Sequence, residues 1–322
     1  MTHYSSIVVS GDLGSGKSTI STQLAERLGV RKISMGDVYR EMAQSRGMSA
    51  LQFNLHAELD EAVDSRIDEL QKEIASSKER LVVDSRLAWF FFTDAFKVHL
   101  IVDPTIGAQR AMSRPASEVE KYSSALEAVE SLQARSESER IRFLKKYDAD
   151  KTRLRNYDLV VDTTRAGQNE VVESTIAAFE GTLGHEVLAA SRPLLLLDPT
   201  RIYPSQGIRG LRGLWDSDSE FVASVSRSAP TALEPISVGY AKPYFYVVDG
   251  HRRLSAAIQG GFSLVSAALV AEGGEEVVGG LTSLSYFESE VSLSMVYDWD
   301  AAHNIELPLP PRLAALVQSR EK

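Results

Sequence analysis

Four short runs of β-branched and leucine residues punctuate the first half of the chain, each giving way to apolar positions at helical spacing. The runs are Ile7-Val8-Val9, Leu81-Val82-Val83-Asp84, Val98 to Asp103 and Asp158 to Asp162. Unbroken apolar runs of this length read as strands covered on both faces, and the helical stretches between them read as crossovers. The pattern predicts an α/β fold: a parallel sheet with helices on both faces. Ile20, Leu24 and Leu28 form one helical face, and Gly29 stands where a C-cap glycine would. A short apolar step (Val30, Ile33) leads to a second helix, with Asp37 as its expected N-cap. Residues 49–77 read as one or two polar amphipathic helices, their acids forming a solvated face. Residues 108–147 read as a long arginine-rich helical segment carrying Arg110, Arg114, Arg135, Arg140 and Arg142, and Val171 to Phe179 as the closing helix. His99 lies inside an apolar run and reads as a satisfied structural histidine. Trp89 to Phe92 reads as core or interface.

After Gly181-Thr182-Leu183-Gly184-His185, a hinge by composition, the pattern changes. Short β-like runs separated by Pro and Gly replace the charged helices: Leu194 to Leu197, Pro235 to Val238 and Tyr244 to Val248. The expected division is residues 1–182, then a smaller α+β domain over 190–275, then an extension over 276–322 that matches no nameable pattern.

Composition narrows the function classes. The 322 residues include no cysteine, which removes disulfides, thiolate chemistry and cysteine-bound zinc and suits a cytoplasmic protein. No apolar run approaches the ~20 residues of a membrane span, and the first strand begins too early to leave room for a signal peptide. The formal charge is −9, and residues 181–322 carry 11 basic against 16 acidic groups, so a nucleic-acid partner is not expected. Oligomeric state is not legible.

The first strand runs into Gly11-Asp12-Leu13-Gly14-Ser15-Gly16-Lys17-Ser18-Thr19 and then into a helix. A glycine-rich turn between strand and helix presents successive backbone N–H groups and the positive end of a helix dipole to an anion. The full G-x-x-x-x-G-K-S spacing in this context predicts an ATP-binding P-loop. Lys17 is expected between the β- and γ-phosphates and Ser18 on Mg²⁺. Asp84, a carboxylate at the end of a buried strand, is the second candidate for holding Mg²⁺. Arg40 is a candidate to fork onto a further phosphate group, Arg86 lies at the carboxyl edge of the sheet, where open α/β sheets bind ligands, and Arg135, Glu139 and Arg142 share a helical stripe.

The segments GDLGSGKST, MGDVYR, VVDSRLAW, RSESERIRFLKKYDAD and NYDLVVDTT, in that order, make residues 6–180 resemble the compact cytidylate kinases of the nucleoside monophosphate kinase superfamily. The resemblance implies transfer of the ATP γ-phosphoryl to CMP or dCMP, with Arg40 and Arg86 clamping the acceptor's phosphate. It implies that Arg135 and Arg140 belong to a helical lid and that Thr163, Thr164 and Arg165 lie beside the ATP base. One departure is Ser85, where the family commonly has glycine.

In the second half, Gly250-His251-Arg252-Arg253-Leu254-Ser255-Ala256 resembles the G-E-R-R-x-x-A box of the ParB/sulfiredoxin fold, with His251 in the glutamate's place. Asp249, Gly250, His251, Arg252 and Arg253 open a helix after a strand and are expected to bind a nucleotide or another phosphate-bearing ligand. The fold's serine kinases carry a glutamate base where the nearest residue here is Gln206, which cannot take a proton. Three readings stand: a nucleoside monophosphate kinase with a nucleotide-binding second domain, a kinase for a small-molecule alcohol such as free serine, and a nucleotide-switched ParB-like regulatory protein.

Overall fold

The computed structural model describes residues 6–48, 61–77, 79–113, 122–181, 193–208 and 234–320. Contacts divide the chain at Thr182 and Leu183 into two compact units. The 181–185 hinge lies largely outside the described residues.

In the N-terminal unit five strands, β1 (Ile7–Gly11), β2 (Arg31–Ser34), β3 (Leu81–Asp84), β4 (Phe96–Ile101) and β5 (Leu159–Asp162), lie in the order β2-β3-β1-β4-β5. Every pairing is parallel. Parallel neighbours require crossovers, and the helices supply them: α1 (Lys17–Leu28), α2 (Met35–Ser45), α3 (Glu61–Ser76), the single turn α4 (Ala88–Phe91), α5 (Pro104–Met112), α6 (Ala125–Tyr147) and α7 (Gln168–Phe179). Val8, Val9, Val82, Val83, Val98, Leu100, Val160 and Val161 are completely buried, as strands covered on both faces must be.

Three expectations change in detail. The apolar step at 30–33 is a strand, β2, at the edge of the sheet. The cap of α2 is Ser34, whose hydroxyl accepts from the Asp37 N–H at 3.2 Å; Asp37 falls in the first turn, where its charge favours the helix dipole instead. The arginine-rich segment is two helices: α5 begins at Pro104, capped by Asp103, and α6 begins after the cap Ser124. Ala108 and Ala111 of α5 pack on Ala128 and Leu132 of α6, small residues that let the helices approach, and Leu13 of the glycine-rich loop packs against this cluster.

The second unit is built on β6 (Leu194–Leu197), β7 (Ile202–Tyr203), β8 (Ile236–Ala241), β9 (Tyr244–Asp249) and β10 (Val265–Glu272), with α8 (His251–Gln259) between β9 and β10. The strand order is β6-β10-β8-β9-β7, with β10 antiparallel to β6 and parallel to β8. The segment from 276 onward is part of this unit's core. It forms a small hairpin, β11 (Glu276–Val278) and β12 (Leu281–Thr282), then α9 (Ser283–Glu290), α10 (Leu293–His303) and α11 (Pro311–Arg320). Phe287 stacks on Tyr244 at 5.4 Å, and Trp299 is completely buried. Tyr203 donates to the carbonyl of Pro308, and Arg312 donates to the carbonyls of Phe287 and Val291. No described helix is long and apolar enough to cross a membrane.

Candidate functional site

The glycine-rich loop leaves β1 at Gly11 and enters α1 at Lys17, at the carboxyl ends of the parallel strands. Gly14 and Gly16 have φ of 84° and 82°, a left-handed conformation that side chains disfavour. A Cβ on Gly14 would lie 2.3 Å from the carbonyl oxygen of Gly107 in α5, and one on Gly11 would lie 2.6 Å from that of Leu100. The loop is tied down by the Asp12 N–H donating to Leu100 at 2.8 Å and by Thr163 Oγ1 donating to the Ser15 carbonyl at 3.0 Å. Ser15 Oγ is buried inside the loop with no hydrogen-bond partner. A buried orphan hydroxyl at the entry to α1, beside two glycines in a left-handed conformation, fits a bound phosphate.

Lys17 Nζ lies 3.2 Å from Asp84 Oδ1. The parallel register explains the meeting: Asp84 pairs with Val9 of β1 on one side and with Ser34 of β2 on the other. Ser18 and Thr19 are exposed in the first turn of α1, and Lys32 of β2 reaches the Ser18 carbonyl at 3.2 Å and its hydroxyl at 3.4 Å. Among the described residues no three His, Cys, Asp or Glu gather as a metal cluster. A hydroxyl and a carboxylate are the hard oxygen donors Mg²⁺ uses when phosphates supply its other ligands.

On the other side of the loop, Thr164 is held by Asp162, and Arg110 donates to the carbonyls of Thr163 (2.8 Å) and Thr164 (3.2 Å). Arg110, grouped with the lid arginines by sequence, is therefore a strut for the loop after β5. Arg165 is exposed beside it. His99 lies within 3.9 Å of Asp12 and stacks on Tyr157 at 4.4 Å, but its buried Nδ1 has no partner, so the expectation of a satisfied histidine holds only in part. Burial, with Lys151 and Lys17 adding to it, pushes the His99 pKa down to about 3, so the ring is neutral.

Beyond β3 the chain places Arg86 against Glu139 of α6, joined by a close ion pair. Arg135 approaches the same carboxylate at 3.5 Å and Lys151 at 3.1 Å. Burial alone would raise the Glu139 carboxyl; Arg86, Lys151 and Arg135 outweigh it and hold it below the usual carboxylate range. Arg140, one residue on, pairs instead with Glu137 at 2.7 Å and Asp150 at 3.3 Å. Arg40 lies within α2; its side chain is outside the described residues. Ser85, the departure from glycine, donates to Gln71 of α3 at 2.9 Å and accepts from the Leu87 N–H, so its hydroxyl stitches the post-β3 turn to a helix. Asp68, assigned to a solvated face, accepts from Tyr147 at 2.7 Å and Lys146 at 3.2 Å, fixing the end of α6 on α3.

Sequence reasoning paired Arg135 with Glu139 only as helix neighbours. Lys151, Gln71 and Lys32 escaped it, because each reaches its partner across the fold and leaves no local spacing to detect.

In the second unit Gly250 adopts φ of 102° and caps α8. Arg252 is exposed there. Arg253, expected to share an anion with it, is engaged by the protein: it donates to the carbonyls of Glu234 (3.0 Å) and Pro235 (2.7 Å) and pairs with Asp249 at 3.0 Å. His251 turns inward, where Nε2 accepts the Ser205 N–H at 3.2 Å, and burial pushes its pKa down to about 4 against the pull of Asp249. Gln206 is exposed.

A family model described as an AAA domain matches residues 7–142. The cytidylate kinase of Natronomonas pharaonis is 36% identical over 178 residues, which is 54% of this chain and 90% of that protein. The cytidylate kinase of Methanobrevibacter smithii is 35% identical over 157 residues, 49% of this chain and 88% of that protein. Among solved structures, shikimate kinase from Bacteroides thetaiotaomicron aligns at 17% identity and a TM-score of 0.40, covering 55% of this chain and 97% of that one.

Proposed function

The chain belongs to the cytidylate kinase family through its N-terminal unit, and on that premise we propose that it transfers the γ-phosphoryl of ATP to CMP, dCMP or a related monophosphate. The observation that carries this reading is that two cationic centres, Lys17 and Arg86, stand at the carboxyl edge of one parallel sheet, each held on a buried carboxylate. Open α/β sheets bind ligands at that edge. Gly11, Gly14, Ser15 and Gly16 cradle the ATP phosphates through backbone N–H groups, and Lys17 neutralises charge between the β- and γ-phosphates. Ser18, and Asp84 directly or through water, would hold Mg²⁺, which would supply charge neutralisation to the phosphates when bound. Arg86 and Arg40 receive the acceptor's phosphate, and Arg135 contributes positive charge from the lid. Little covalent chemistry is needed: positioning and charge neutralisation supply most of the rate. A coupled assay of ADP release with Mg–ATP tests it, using CMP, dCMP, UMP, AMP and free serine as acceptors. Turnover with a pyrimidine monophosphate is expected; turnover with serine alone would replace this reading with an alcohol kinase.

For the second unit we infer binding of a nucleotide or another phosphate-bearing ligand at the Asp249–Arg253 turn. The left-handed Gly250 at the start of α8 and the exposed Arg252 support it. Calorimetric titration of the full-length Lys17→Ala chain with CTP, ATP and ADP, repeated with Arg252→Ala added, tests it. Binding that survives Arg252→Ala would move the ligand elsewhere.

A further inference from the structure

Glu139 is a single buried carboxylate on which three cationic side chains converge. Lys17 pairs with Asp84, while Arg86, Arg135 and Lys151 converge on Glu139. Three positive side chains share this one carboxylate, and the Glu139 side chain is only 8% exposed. The three cations on Glu139 come from three places: the turn after β3, the preceding turn of α6, and the turn beyond α6. A lone helix-surface ion pair would need none of this: Arg86 and Arg135 are partly exposed while the carboxylate they share is buried. The arrangement is that of an anion site whose resident anion is a side chain. Its strongest contact, the close pair to Arg86, is with the same guanidinium that the proposed function gives to the acceptor's phosphate.

We propose that Glu139 is a built-in counter-anion that occupies Arg86 in the empty enzyme and gives it up when the acceptor's phosphate arrives, a positioning residue for the acceptor side of the transfer. This rests on Arg86 being the acceptor clamp. Arg86 is kept charged and oriented while the site is empty, and each acceptor that binds must displace one carboxylate contact. Arg135 and Lys151 remain on Glu139 after the exchange, so the carboxylate is not left unpaired. Acceptor affinity is thereby set lower than the cation cluster alone would make it, which favours release of the doubly phosphorylated product.

The test is on the full chain with the P-loop filled by Mg–AMP-PNP, so that only the acceptor side reports. CMP and inorganic phosphate are titrated calorimetrically, and KM and kcat are measured with ATP. Glu139→Gln is expected to bind CMP about tenfold more tightly, the size of one charge-assisted hydrogen bond no longer competed for. Its KM for CMP falls, kcat falls because Arg86 is no longer held in place, and KM for ATP stays put. Glu139→Asp keeps the charge with a shorter reach and is expected to shift CMP binding in the same direction by less; it carries the test should Glu139→Gln not fold. Unchanged or weaker CMP binding in the folded variants overturns the proposal. Arg86→Ala separates the two claims: if it leaves CMP binding unaltered, the clamp reading itself fails, whereas weakened binding there with no change in the Glu139 variants sinks the counter-anion alone.

Discussion

Lys17 and Asp84 are joined at 3.2 Å although 67 positions of sequence separate them, and the join is made by strand register, β3 lying parallel beside β1. Register alone thus brings the lysine of the glycine-rich loop onto the carboxylate at the end of the neighbouring strand. Lys17→Ala should lower kcat at least a hundredfold, about 3 kcal/mol of transition-state stabilisation, because the lost charge is one that matters most as the phosphoryl group moves. Unchanged melting beside the loss of turnover would locate the effect in the chemistry; wild-type turnover would remove the P-loop from it.

Arg86→Ala should divide two activities. Transfer to a monophosphate requires the second phosphate clamp, whereas slow hydrolysis of ATP by water does not. The ratio of transfer to hydrolysis, measured in one assay with and without CMP, should fall by at least tenfold. An unchanged ratio would make Arg86 part of the ATP site or of the scaffold.

His251 makes stability depend on pH. Burial places its folded pKa at about 4, below the ordinary 6.5 of an unfolded chain. A depressed folded pKa means the unfolded state takes the proton first, so the contribution is full above pH 6.5 and is lost as pH falls towards 4. The loss from this residue reaches about 2 kcal/mol by pH 5. Urea melts at pH 7 and pH 5, compared between wild type and His251→Gln, check it. Glutamine still offers an acceptor to the Ser205 N–H, so the pH dependence of the second unit's transition should shrink; an identical slope would put the titration elsewhere.

Trp299 tests whether the C-terminal segment is structural. It is completely buried and touches His303 at 4.3 Å between ring centres. Trp299→Ala should cost about 3–5 kcal/mol. Ending the chain at Gly274 should abolish the second unit's cooperative transition. Retention of that transition would show that the sheet and α8 suffice.

What the sequence made legible was local. The P-loop, the Gly29 cap and the strands β3, β5, β6, β8 and β9 are each announced within a dozen residues and lie at or close to where their patterns put them; β4 starts and ends slightly earlier than its apolar run suggested, and β7, β10, β11 and β12 were not read from the sequence. β2 was harder, since a strand written Arg31-Lys32-Ile33-Ser34 has one apolar residue in four and owes its state to pairing with β3. The cap of α2 was misjudged because Ser34 and Asp37 are both good cap residues and only the backbone decides between them. At the site, Glu139 looked like half of a surface pair because Arg135 is four residues away. Its other partners, Arg86 and Lys151, are brought in by folding. In the second unit the arginine pair was visible, but not that Arg253 would be spent on the carbonyls of Glu234 and Pro235.

The crossing of Gly14 and Gly107 has a mechanical consequence. Backbone rests on backbone there, with no side chain to bend, and Leu13 is packed into the seam between α5 and α6. The phosphate cradle and the first turns of α5 therefore behave as one rigid block. α6 rests on this block through Ala128 and Leu132, so a side chain added at Gly14 or Gly107 would be felt at the α5–α6 seam as well as in the loop.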